Sequence, residues 1–420
     1  MDKHTQHVFL VGAKSLGAYG GYETFVDKLT EYHQSEDYIR YHVACKANGD
    51  GCMDESKLMG VTDICRRKDG IVMEFTYHNA RCFKIPVPDI GPAQAIYYDV
   101  AALWECCRYI EKHRIPHPVV YIMACRIGPF MGYFCRRIHR LGGKVYLNPD
   151  GHEWKRAKWN RLIRKYWKIS EKMMVCRSDL VICDSVNIEK YIHESYERKA
   201  GAELKTTYIA YGAETGHSCL ADDDPRFAAW MREKDLKPND YYLVVGRFVP
   251  ENNYETMIRE FMRSGSTKKL AIITNVNEKF LSRLEESLHF EQDSRIRFVG
   301  TVYDQALLRK IRENAWGYLH GHEVGGTNPS LLEALGATKL NLLLDVGFNR
   351  EVAEDAARYW TKEQGDLAKL IDACDTVSAA EMDALGKMAK ERIEDQYSWK
   401  FIAQRYGEVF AQQFAQTAYR

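Results

Sequence analysis

The chain has 420 residues, with 59 Lys and Arg against 58 Asp and Glu, a formal net charge of +1. That balance excludes a global attraction to nucleic acid or membrane and leaves only local basic patches to consider. With 45% hydrophobic and 28% charged residues, the composition is that of a globular protein with room for two or three domains. The twelve cysteines include no CxxC pair, and the neighbours Cys106 and Cys107 make poor disulfide partners. They are expected to be reduced and packed, as in the cytosol. The opening MDKHTQHVFLVGAK lacks a signal-peptide pattern. No run approaches the roughly 18 apolar residues of a membrane-crossing helix.

In chain order, VFLVG (8–12) predicts a buried strand. GGYETFVDKLTEYH (20–33) spaces Tyr22, Phe25, Val26, Leu29 and Tyr32 as a helix. The loop between them, GAKSLGAYGGYE (12–23), misses the GxGxxG spacing of a dinucleotide site. Its Gly20–Gly21 pair at a helix start still lets backbone N–H groups approach a phosphate or sugar. The plainer alternative is a tight turn. Strands follow at 42–46, 119–124, 144–148, 179–183 and 206–211, helices at 97–113, 130–141, 155–176 and 186–196, and an inserted strand pair within 66–88. Such alternation predicts a parallel sheet covered on both faces.

After the strand at 144–148, LNPDGHEWKRAKW places Asp150, His152 and Glu153 in a loop. A carboxylate there can accept a proton or orient a hydroxyl; it can also be half of a capping box, Asp150 at N-cap and Glu153 at N3. KRAKWNRLIRKYWK (155–168) interleaves basic residues with three aromatics. It suits nucleic acid or anionic lipid, or else is a solvated helix with its aromatics turned to the core. Residues 217–240 are polar and link the two halves. Strands then resume at 241–247, 269–274, 295–300, 316–321 and 339–344, and two helices, 378–394 and 398–417, close the chain.

Ligands of doubly wound domains bind outside the carboxyl ends of the strands. In the second half Arg247 follows a buried strand, where a guanidinium can grip a diphosphate or pair with a structural carboxylate. HGHEVGGTNPSLLEALGA (320–337) sets Gly325, Gly326, Thr327 and Asn328 before Pro329, a residue suited to a first helical turn. Such a junction favours an anionic oxygen. Glu333 is placed to hold two ribose hydroxyls, or only to complement the helix dipole. Asp222–Asp224 follows no strand, and His320 and His322 have no evident partner, so no metal site is expected.

The stretches GAYGGYETFVDKL, NPDGHEWKRAKW, YIAYGA, VVGRFVPENN, RFVGTVYD, HGHEVGGTNPSLLEALGA and DVGFNREV span residues 12–352. In this order they resemble the GT-B glycosyltransferases of family 4, and among them the bacterial β-1,4-L-rhamnosyltransferases of capsule and cell-wall polysaccharide assembly. The resemblance implies an α/β fold of two Rossmann-like domains facing a central cleft. Residues 1–215 would bind the acceptor, 216–395 the nucleotide sugar, and a helix in 396–420 would pack back on the first domain.

The implied reaction is retaining and independent of metal or cofactor. It moves L-rhamnose from dTDP-β-L-rhamnose to a sugar on a polyprenyl pyrophosphate, the diphosphate leaving on the face that the acceptor attacks. The resemblance assigns Gly20, Gly21, Arg247, Asn252, Gly325, Gly326, Thr327, Asn328 and Glu333 to the donor. It assigns Tyr22, Glu23, Asp150, His152, Lys155 and Arg156 to the acceptor, with Asp150, Glu153 and Arg247 catalytic. Two positions depart from the family pattern: Gly325 stands where the first Glu of Glu-x7-Glu is usual, and Asn252 where a Lys is usual. The implied location is the cytoplasm, at the inner face of the membrane, with 155–168 against anionic headgroups and no nucleic-acid partner. Rival readings are a UDP- or GDP-hexose donor, a sugar-nucleotide epimerase, and a non-catalytic sugar-nucleotide-binding subunit.

Overall fold

The computed structural model describes residues 5–18, 20–155, 159–201, 203–324 and 326–417. The chain forms two compact units, Met1–Tyr211 with Trp399–Arg420, and Gly212–Ser398.

The first unit runs β1 (Gln6–Val11), α1 (Gly21–His33), β2 (Ile39–Lys46), β3 (Thr62–Arg66), β4 (Val72–Tyr77) and β5 (Ala80–Ile85). It continues α2 (Gln94–His113), β6 (Val119–Met123), α3 (Gly128–Arg140), β7 (Lys144–Asn148), α4 (Arg161–Val175), β8 (Leu180–Cys183), α5 (Val186–Tyr196) and β9 (Thr206–Tyr208). The sheet order is β3-β4-β5-β2-β1-β6-β7-β8-β9. The β3–β4 and β4–β5 pairs are antiparallel, the rest parallel. Every residue of β1 is buried, as a central parallel strand covered on both faces requires. Helices α2 to α5 follow one another in contact along one face. There Phe9, Val120, Ile122 and Leu147 of the sheet meet Leu103, Phe134, Met174 and Ile188 of the helices.

The second unit runs α6 (Pro225–Glu233), β10 (Tyr241–Val245), α7 (Tyr254–Arg263), β11 (Lys269–Ile273), α8 (Glu278–Leu288), β12 (Ile296–Gly300), α9 (Gln305–Glu313) and β13 (Gly317–His320). It continues α10 (Pro329–Leu335), β14 (Asn341–Leu344), α11 (Gly347–Ala353), β15 (Arg358–Trp360), α12 (Asp366–Cys374) and α13 (Ala379–Gln396). Its sheet, β12-β11-β10-β13-β14-β15, is parallel throughout. The winding reverses between β10 and β13, the doubly wound order of nucleotide-binding folds.

A last helix, α14 (Trp399–Thr417), belongs to the first unit and packs on α1 and β1. The Tyr406 and Tyr121 hydroxyls lie 3.1 Å apart, Phe25 packs edge-on against Tyr406 at 5.0 Å, and Phe410 is fully buried.

Three expectations are corrected. Residues 217–240 are not a plain linker. The Asp224 side chain accepts from Arg226 N at 2.8 Å and starts α6, whose Phe227, Trp230 and Met231 join the core with Leu243 and Ile311. The helix expected at 155–176 begins at Arg161, where the Asn160 side chain caps it by accepting from Ile163 N at 3.0 Å. The strand expected at 206–211 ends at Tyr208.

Candidate active site

In the second unit, the loops after β10 and β13 lie side by side at the point where the winding reverses. Gly246 follows β10, and Arg247 is exposed, with no side-chain partner among the described residues. Its alternative role, a structural ion pair, is therefore not realised. Asn252 ties the two loops together: its Nδ2 donates to Arg247 O at 2.7 Å and its Oδ1 lies 2.7 Å from His322 Nδ1. Asn253, in the left-handed region at φ 54°, donates from Nδ2 to Gly321 O at 2.8 Å. A Cβ on Gly321 would stand 2.4 Å from Asn252 O, so only glycine permits this close approach.

Asn252, standing where the family pattern usually has a Lys, is thus a neutral brace, and among the described residues Arg247 is left without a side-chain partner. His320 and His322 are packed, and burial holds His320 well below its ordinary 6.5, hence neutral. Asn328 caps α10 by accepting from Ser330 N at 2.9 Å, while Gly326 and Thr327 are buried beside it. Gly325 lies outside the described residues. Glu333 does more than complement a dipole: Arg312 Nη2, on α9, lies 2.6 Å from its Oε2. Arg312 is buried, so it fixes the carboxylate while leaving it about a quarter exposed, at 27%.

In the first unit the winding reverses between β1 and β6, and the expected acceptor residues gather at the carboxyl ends of β1, β6 and β7. Gly12 has φ +128°, and a Cβ there would meet Met123 O at 2.5 Å; the tight-turn role belongs to this glycine. Gly20 is extended, with φ 176°, and nothing lies within 4 Å of a Cβ built on Gly21. A Cβ on Gly20 would run into the Glu23 carboxylate, at 2.2 Å, so the bare backbone open to a ligand is that of Gly21. Glu23 is engaged, its Oε1 accepting from Lys14 N at 3.0 Å. The Tyr22 hydroxyl is buried with no hydrogen-bond partner among the described residues. Burial, and next the nearby Asp150, push its pKa well above the ordinary 10, so it stays a neutral donor.

The loop after β7 does not form the capping box. Asp150 sits at φ 60° and His152 at φ 51°. Asp150 Oδ1 accepts from Gly151 N at 2.8 Å, whereas Glu153 Oε1 accepts from Trp159 Nε1 at 2.9 Å. With Ala124 at φ 72°, three non-glycine residues on two adjacent loops hold left-handed backbone, a kind of strain that clusters at functional sites. The His152 ring lies 4.1 Å from the Tyr191 ring, tilted by 47°. Burial, then Lys155 and Lys168, lower its titration to about 4, leaving a neutral imidazole. Lys155 is exposed, and Arg156 lies outside the described residues.

One cation went unnoticed in the sequence. Arg126, just past β6, donates from Nη1 to Gly12 O at 3.2 Å and pairs with Asp99, fully buried on α2, at 3.1 Å. It ties the glycine loop to the end of β6. The signal was available: Arg126 follows a buried strand just as Arg247 does, and Asp99 is a lone acid on the apolar side of a helical pattern.

Elsewhere, Asp222 pairs with Lys310, and Asp224 with Arg226. Among the described residues no group of three or more His, Cys, Asp or Glu could hold a metal ion, and no helix is long and apolar enough to cross a membrane.

Two Rossmann-like units with this winding are the GT-B fold, and solved structures match it over nearly the whole chain. Sucrose-phosphate synthase from Thermosynechococcus elongatus superposes with a TM-score of 0.73 at 16% identity, covering 98% of this chain and 100% of that one. A glycosyltransferase from Rickettsia africae does so at 0.71 and 12%, covering 98% and 99%. HepE from Anabaena, in complex with UDP and glucose, does so at 0.68 and 13%, covering 97% and 100%. The chain belongs to the family described as "Domain of unknown function (DUF1972)", whose model matches residues 5–214. No curated protein matches the sequence.

Proposed function

We propose that this protein is a retaining, metal-independent glycosyltransferase that moves a sugar from a nucleoside diphosphate to a hydroxyl of a lipid-pyrophosphate-linked acceptor, with dTDP-L-rhamnose as donor. The observation that carries the reading is Arg247, an exposed guanidinium without a side-chain partner among the described residues, at the reversal point of the second unit's parallel sheet. That is where a doubly wound sheet receives a nucleotide, and a planar, permanently charged group suits a diphosphate.

Catalysis on this reading is electrostatic. Arg247 stabilises the charge that grows on the departing diphosphate, and Glu333, held by Arg312, receives the ribose hydroxyls. In the first unit Asp150 orients the acceptor hydroxyl. The buried Tyr22 hydroxyl and neutral His152 supply hydrogen bonds without adding charge. The family resemblance implies that the acceptor attacks on the face from which the diphosphate departs, so that the anomeric configuration is retained, and no side chain is assigned as a covalent nucleophile. The rhamnose assignment rests on the motif resemblance, including Gly325 and Asn252. A UDP-hexose donor is the second reading, favoured by the UDP and UDP-glucose complexes of HepE.

The test offers dTDP-L-rhamnose, UDP-glucose, UDP-GlcNAc and GDP-mannose to the purified protein with a lipid-pyrophosphate GlcNAc acceptor and its glucose analogue, in EDTA. The expected result is transfer from dTDP-L-rhamnose, with retention read from the anomeric signals of the product. Transfer only from a UDP-sugar selects the second reading. Donor binding without transfer to either acceptor overturns both.

A further inference from the structure

The two units differ in what they expose. Among the described residues the large apolar side chains left exposed in the second unit are Tyr303 and Met388. In the first unit, Tyr97, Trp104, Phe130, Tyr133 and Leu162, on three consecutive helices, are 44–80% exposed. A patch of this kind on a folded domain marks an interaction surface.

Its geometry is that of one continuous face. Helices α2, α3 and α4 pack side by side. Trp104 lies 5.3 Å from Tyr133, and the Arg137 guanidinium covers the Trp104 ring at 4.5 Å. Tyr97 and Trp104 line the same shallow groove beside Ile85. Each helix follows a parallel strand, so its first turn stands at the carboxyl edge of the sheet. Tyr97, Phe130 and Leu162 are in the first turns, beside the loops that hold Gly12 and Asp150.

The charge on this face is one-sided. Arg108, Arg136, Arg140, Arg161 and Lys165 are exposed on the same three helices. The acids there are few: Asp99 and Glu171 are buried, and Glu105 and Glu111 pair with Arg108 and Arg137. The stretch first read as membrane-facing, 155–168, contributes only part of the face. Tyr166 donates to Arg126 O at 2.6 Å, and the Lys168 ammonium sits 4.4 Å over the Trp154 ring. Both are turned inward, and Lys158 and Arg156 lie outside the described residues.

We propose that the exposed face of α2, α3 and the start of α4 docks on an anionic lipid bilayer. Tyr and Trp place apolar rings below polar tips, and Arg and Lys lay apolar stems along the interface while their heads meet lipid phosphates. A second copy is the poorer occupant, because a two-fold contact would set this basic face against itself. The use of the surface rests on the lipid-linked acceptor proposed above: docking there brings the bilayer to the edge that carries the acceptor loops.

The experiment measures flotation of the full chain with vesicles of phosphatidylcholine alone and of phosphatidylcholine with phosphatidylglycerol, together with transfer to a soluble short-chain acceptor. Wild type is expected on the anionic vesicles and not on the neutral ones, with release at high salt. The pairs Arg136→Glu/Arg140→Glu and Trp104→Ser/Tyr133→Ser should each weaken binding about tenfold or more and leave short-chain transfer unchanged. Absence of wild-type binding, equal binding by the variants, or patch-dependent self-association in place of vesicle binding would each overturn the surface. Vesicle binding with no transfer to any acceptor would sink the enzymatic reading and leave the surface standing. Short-chain transfer without vesicle binding would do the reverse.

Discussion

The two sheet edges that carry the candidate residues are built on opposite plans. In the second unit Arg247, at the reversal point, is exposed with no side-chain partner among the described residues, and neutral side chains brace its loop. In the first unit the corresponding cation, Arg126, is tied to the buried Asp99, and around it stand a buried hydroxyl, a carboxylate and a neutral imidazole. On the proposed reading the exposed guanidinium receives a diphosphate, while the neutralised one lies among hydroxyl and carboxylate groups suited to sugar hydroxyls. The same kind of residue after the same kind of strand would then serve two chemistries, according to whether an acid stands opposite it.

The contrast breaks most visibly at Asp99. Asp99→Ala leaves Arg126 as an unpaired charge, and the expected loss is about 3–5 kcal/mol of stability, read by denaturant unfolding. Arg247→Ala, by contrast, should leave the melting temperature unchanged while lowering kcat/KM about 100-fold and weakening nucleoside diphosphate binding in calorimetry. A stability loss at Arg247, or none at Asp99, would erase the distinction.

Acid sharpens it further. Burial lowers His7, His33 and His152 of the first unit from 6.5 to about 4 and pushes the buried His42 well below 6.5. The unfolded chain takes up these protons first. Stability is therefore complete above about pH 6.5 and falls as pH drops towards 4, by at most about 1.4 kcal/mol per histidine per pH unit. In the second unit His320 shares this behaviour. Hydrogen exchange at pH 5 should find the first unit opening before the second. The smallest effect belongs to Tyr22→Phe. It removes a hydroxyl that has no partner among the described residues, so stability should hold while the acceptor KM rises about tenfold or less.

Much of this was legible in the sequence, because parallel strands buried on both faces are continuous apolar runs and cannot hide. β15 was missed because three residues, RYW, show no period. α6 was missed because DDDPRFAAWMRE looks polar until its Phe, Trp and Met are seen to share a side. At the sites, Arg247 was found because its place after a strand is a local signal. The pairings Asp99–Arg126 and Arg312–Glu333 were not, because each joins elements many residues apart and only the fold brings them together.

The return of α14 to the first unit sets an order of assembly on the ribosome. Tyr121 and Phe25 need Tyr406 and Phe410 to complete their side of the core, and those residues are synthesised after the whole of the second unit. The half made first is therefore the half finished last. One apolar layer of it stays uncovered until Gly212–Ser398 has been synthesised.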